Sequence, residues 1–379
     1  MRAIGAVVSL VLLAVAALWA QGAGTVRKEI LQNQPATEAV AIEKGAKWLA
    51  AVQGADGGWG QDGGETSYVR TGERLESNGN DVANTAVATL ALLQAGRQYQ
   101  PNVERALDFI LKNVEASPAA GLSVTNRQGT QIQRKLGPFI DTFLTSMLLA
   151  RVDGTLSTQM NARVRRALEK CVAKIEQNQM KDGSWNISGG WAPILGTSLA
   201  SRSLFDASRK GVKVEDQVMR RAEDYTVMAL NNPSGIGIGT GVGAGRGGGT
   251  GGGIASATSA SAGVPLYQTA QALEQLSRTE ADRQKNAPQI AKMQEQIKDA
   301  KFVEGFGSIG GEEFFSYLNV SDGLQRSGGA QWKEWRSQTV QKILNLQNSD
   351  GTWAGHHCIT GRVAVTSAAI LNLKFEHAN

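Results

Sequence analysis

From residue 38 onward the apolar positions recur at helical spacing, and the two-residue alternation of a half-buried strand is nearly missing. After a polar stretch from Gln21 to Pro35, residues 38–53 predict an amphipathic helix. Val82 to Ala95 is apolar nearly all round, as a helix buried on both faces should be. Residues 102–115 return to one stripe, with Val103, Leu107, Ile110 and Val114 on the same side. Phe139 to Val152, opened by Gly137-Pro138, is again mostly apolar. The alternation continues through 161–179 and 196–209, 214–230 and 265–277, 281–300 and 312–326, and 332–347 and 362–375. Six pairs of this kind suit two concentric layers, with apolar helices inside and amphipathic ones outside facing water.

A second pattern punctuates the first. Lys44 to Trp59 reads KGAKWLAAVQGADGGW: a helix-favouring run ending at Gln53, a turn at Asp56-Gly57-Gly58, and Trp59. Asp bonds the backbone two residues on and Gly supplies positive φ, so the helix stops and the indole falls against it. The ending recurs from Gln179 to Trp185 (QMKDGSW) and from Gln347 to Trp353 (QNSDGTW), which marks an internal repeat. These turns resemble the QW motif of the prenyltransferase and squalene-cyclase superfamily. Lys44-Gly45, Trp48-Leu49, Gln53 and Gly57-Gly58-Trp59 match it throughout; the other copies keep Ile175 or Ile343, the Gln and the Gly-x-Trp. The resemblance implies an all-α fold of terpenoid cyclase and protein prenyltransferase type, an α/α toroid of six helical hairpins. It does not carry function, because one fold hosts many chemistries. The Asp-rich DxDD acid of the cyclases is absent, and Asp141-Thr142 is the nearest inner-helix acid. The zinc triad of the prenyltransferases is absent too: Val365-Thr366 falls where its His would stand.

Composition narrows the setting. The 379 residues are 41% hydrophobic and 19% charged, with a net charge of +5 and no basic run interleaved with aromatics, so no nucleic-acid partner is expected. Residues 1–20 open Met-Arg, run apolar and end in small residues, which predicts a signal peptide and export to the periplasm or outside the cell. No later stretch is apolar enough to span a membrane. The toroid is then one domain over 36–379, interrupted at 234–263 by a Gly-rich, flexible insertion. Cys171 and Cys358 make no disulfide framework, and Cys171 reads as a small buried hydrophobe.

Candidate chemistry gathers where the inner helices begin, since loops and helix dipoles converge there. Asp81, Asn84, Asp141, Trp191, Tyr267, Glu312 and Arg362 are the candidate ligand-binding residues. Asp81 and Asp141 also make good N-caps, and Glu312 and Glu313 suit a first helical turn. The sharpest cluster is His356-His357-Cys358, between the last repeat Trp and the last inner helix. Imidazole and thiolate suit zinc, making all three candidate metal ligands, or a nucleophile–base pair in which His357 and Cys358 act with Glu313. Two functions follow: a module binding a ligand or protein in its cavity or mouth, or an uncharacterised hydrolase, lyase or transferase built on this loop.

Overall fold

The computed structural model describes residues 37–62, 79–187, 193–231, 264–305, 310–356 and 359–375. The apolar N-terminal run, the Gly-rich stretch 234–263, Trp191, His357 and Cys358 lie outside them. Among the described residues no strand forms; an isolated bridge pairs Trp59 with Asp81.

The helices are α1 (37–51), α2 (Val82–Ala95), α3 (Gln100–Ala116), α4 (Gln131–Leu136), α5 (Ile140–Val152), α6 (Thr158–Gln177), α7 (Pro193–Arg209) and α8 (Asp216–Asn231). They continue as α9 (Val264–Leu276), α10 (Glu280–Lys285), α11 (Ala287–Ile297), α12 (Ala300–Val303), α13 (Gly311–Ser327), α14 (Gly329–Asn345) and α15 (Arg362–Leu373). Helices α2, α5, α7, α9, α13 and α15 each pack on the next, and α15 packs back on α2, closing an inner ring. The amphipathic helices flank it: α3 lies on α2, α6 on α5, α8 on α9 and α14 on α13. The fold is an α/α toroid. Burial follows the sequence pattern. Val103, Leu107, Ile110 and Val114 are the inward stripe of α3, whereas α5 is buried along nearly its whole length.

The three repeat turns share one geometry. Each indole Nε1 donates to a carbonyl ten residues back: Trp59 to Leu49 at 2.8 Å, Trp185 to Ile175 and Trp353 to Ile343 at 2.7 Å. Each Trp backbone N–H donates to a Thr hydroxyl on the following inner helix, Thr85, Thr197 or Thr366. The Gln side-chain amide donates to its own turn and to the next outer helix. Gln53 reaches Gly57 and Asn102, Gln179 reaches Gly183 and Val218, and Gln347 reaches Gly351 and Ala41. The turns therefore staple α1 to α3, α6 to α8, and α14 back to α1.

Two details depart from the periodicity. The span expected as one helix over 281–300 is broken at Asn286, because Pro288 has no N–H to continue the ladder and instead starts α11. A short helix, α4, appears where none was expected. Its Thr130 and Gln133 form a reciprocal capping box. It packs on α2, α5 and α7 at the end where the inner helices begin.

Candidate functional site

At that end the structure collects the expected acids and gives each a partner. Asp81 caps α2, accepting from the Asn84 backbone and side-chain nitrogens at 2.8 Å. Asp141 accepts from the Ala83 backbone N–H at 3.0 Å and from Gln133 Nε2 of α4 at 2.7 Å. Both carboxyls are buried. Burial pushes Asp81 up to about 6, against the pull of the Asn84 bonds. Burial and the neighbouring Asp81 push Asp141 up to about 7. The two form a desolvated carboxyl pair, able to hold a proton near neutrality.

Glu312 and Glu313 are both fully buried but look different ways, as neighbours about 100° apart on a helix must. Glu313 accepts from the Gly310 N–H at 2.8 Å, closing its own helix, and from the Tyr267 hydroxyl of α9 at 3.3 Å. Glu312 Oε2 accepts from the Ile359 N–H at 3.3 Å, just past the His-His-Cys loop, while its Oε1 meets no donor. His356 is exposed. Among the described residues no three His, Cys, Asp or Glu side chains cluster closely enough for a metal ion. The same loop is tied down by α4: Gln131 accepts from the Thr360 and Gly361 N–H groups and donates to the Thr360 hydroxyl. So α4 bridges from Asp141 to the last loop.

Arg362 lies 2% exposed over the Trp48 ring, 5.4 Å from guanidinium to centroid. Its side chain pairs with Asp62 and Asp350, each at 3.7 Å. It joins the first repeat to the last. Cys171 is buried in α6 and burial pushes its thiol up to about 12, which makes it inert.

A cavity of about 690 Å³ opens at the opposite end, among the last turns of α2, α5, α7, α13 and α15. Leu90, Met147, Phe205, Leu318, Leu371 and Phe375 supply apolar wall, and Arg151, Arg202, Arg209, Lys210, Arg326 and Lys374 supply cations. Asp206 and Asp322 are its carboxylates. Beneath it Glu274, fully buried on α9, is gripped by Arg278 at 2.6 Å and approached by Arg326 at 3.4 Å. Burial would raise its carboxyl, but these guanidiniums outweigh it and hold it below the usual carboxylate range. None of these residues stood out in the sequence, where each is an ordinary last-turn cation or apolar position. What could have marked them is the recurrence of Arg or Lys at the ends of inner helices, in Arg151, Arg209, Arg326 and Lys374.

Residues 20–122 match the model of the squalene-hopene cyclase C-terminal domain. The squalene–hopene cyclase of Bradyrhizobium diazoefficiens is 39% identical over 70 residues, which is 18% of this chain and 10% of that enzyme. The probable squalene–hopene cyclase of Sinorhizobium fredii is 36% identical over 74 residues, 20% of this chain and 11% of its own. The likeness thus spans about a tenth of these relatives' length. The residues matched by the family model, 20–122, take in α1 to α3 and the first repeat turn, where Gln53 and Trp59 make their staples. The chain thus folds as an α/α toroid and, over residues 20–122, is similar in sequence to the C-terminal domain of squalene–hopene cyclases.

Proposed function

We propose that the protein is a ligand-binding toroid that takes a small molecule into the cavity where the inner helices end. The cavity carries this reading: about 690 Å³ is ample for a small ligand, and its walls combine six large apolar side chains with eight charged ones, so it offers both apolar contact and charge. The absence of a DxDD segment supports binding over cyclisation, and the apolar run at 1–20 supports export. Filling the space tests the idea. Met147 lines the cavity and is half-buried, so Met147→Trp should abolish binding of a fluorescent dye to the cavity while leaving the melting temperature nearly unchanged. Dye binding that survives the substitution places the ligand elsewhere and overturns the proposal.

A second reading, an enzyme using the His356–Cys358 loop, has one observation behind it. Glu312 is fully buried with Oε1 lacking a donor, and its other oxygen holds the residue after Cys358. Such a carboxylate would suit a metal ligand or a general base. Stoichiometric zinc in the native protein and none in Cys358→Ser would favour it; metal-free protein with unchanged folding would remove zinc from consideration.

A further inference from the structure

The charges around the cavity do not balance, and the imbalance has a definite place. In the cavity wall and just beneath it, three guanidiniums meet three carboxylates. Arg278 and Arg326 hold Glu274, Arg202 lies 3.3 Å from Asp322 and 3.9 Å from Asp206, and Arg326 also bonds Asp322. This network is neutral and largely buried, and it spends every carboxylate that lines the cavity. Arg151, Arg209, Lys210 and Lys374 also line the cavity, and among the described residues no ion pair engages them. Lys210 donates to the neutral Asp153 carbonyl at 3.2 Å.

Resting on the ligand-binding proposal above, we infer that the cavity selects a single-chain anionic amphiphile, a carboxylate or phosphate head on an aliphatic tail. The surplus cations at the rim receive the head; Leu90, Met147, Phe205, Leu318, Leu371 and Phe375 face the tail. The Arg278 guanidinium lies 5.1 Å from the Phe205 centroid and supports that ring. Converging helix C-termini carry partial negative charge, which cations in the last turn offset. Arg151 and Arg209 are exposed and line the cavity, which places them where an incoming head would arrive. A bare inorganic anion would leave the apolar wall unused, and a neutral hydrocarbon would leave the cations unused.

Isothermal titration of the full chain with dodecanoate, dodecanol and dodecyltrimethylammonium, each below its micelle concentration, separates the alternatives. Dodecanoate should bind one per chain, dodecanol roughly tenfold more weakly, and the ammonium not measurably. Arg151→Gln with Arg209→Gln, both at exposed positions, should weaken dodecanoate by about tenfold and leave dodecanol unchanged. Equal binding of acid and alcohol overturns the anion selectivity while leaving the cavity reading intact. Failure of all three ligands overturns this inference, and dye binding to the native chain against Met147→Trp then decides separately whether the cavity binds anything.

Discussion

At the scale of single residues, the buried carboxyl pair gives the fold a pH dependence of predictable sign. Asp141 titrates near 7 in the folded chain against an ordinary value of 3.8, so between those limits the folded state binds more protons than the unfolded one. Its contribution to stability is complete below about pH 4 and is lost as pH rises through 7; Asp81, near 6, acts in the same direction. The urea midpoint should therefore fall between pH 5 and pH 8, and fall less in Asp141→Asn. The substitution also puts an amide nitrogen opposite Gln133 Nε2, whose own oxygen is already engaged by the Thr130 N–H. That cost is the same at every pH, so the readout is the slope and not the midpoint. An unaltered slope would show that Asp141 is ionised throughout.

At the scale of elements, the repeat turns explain why Gly is required in the motif. A Cβ at Gly183 would stand 2.1 Å from the Arg221 carbonyl oxygen, and the residue's φ is +90°. Gly211 has a similar φ of +74° but open space around it. Gly211→Ala should then cost only the left-handed conformation, about 1 kcal/mol, whereas Gly183→Ala must also push α8 off the turn and cost about 2–4 kcal/mol. Equal losses by chemical denaturation would mean that the close approach carries no energy. The turn itself was legible because Gln, Asp-Gly and Trp each have a local reason to be there. The partner was not. Lys44 and Gly45 read as the opening of the first motif, yet the third turn packs on them: a Cβ at Gly351 would lie 2.8 Å from Lys44 Cβ, and one at Gly45 would lie 2.9 Å from the Trp353 ring. In the same way, helical spacing revealed the inner and outer layers but hid α4, since six residues are too few to show a period. Only the Thr130–Gln133 capping box announced it. The acids at the inner-helix starts were visible as polar residues among apolar ones; the cationic cavity was not, because its residues come from five helices and converge only in three dimensions.

At the scale of the whole molecule, a ring must be closed by residues from its two ends, and here hydrogen bonds and ion pairs join the packing of α15 on α2. Gln347 donates to the Ala41 carbonyl, Arg336 pairs with Glu38, the Val363 N–H donates to the Gln61 carbonyl, and the Arg362 N–H donates to Asp62. Arg362 stands at the centre of this seam, stacked on Trp48 from the first repeat and set between Asp62 and Asp350 from the first and third turns. Replacing it with Met keeps most of the packing volume and removes a cation that faces both carboxylates. Breaking a buried ion pair from one side costs about 3–5 kcal/mol, and the partial exposure of both aspartates should bring the loss to about 2–4 kcal/mol. Where the loss appears matters more than its size. The junctions from α5 to α8 have their own turn, with Gln179 and Trp185, and share no residue with the seam. Hydrogen exchange in Arg362→Met should therefore quicken over 37–62 and 346–366 while α5 to α8 keep their protection. Uniform acceleration would instead show that the toroid opens only as a single cooperative unit, with closure no weaker than any other junction.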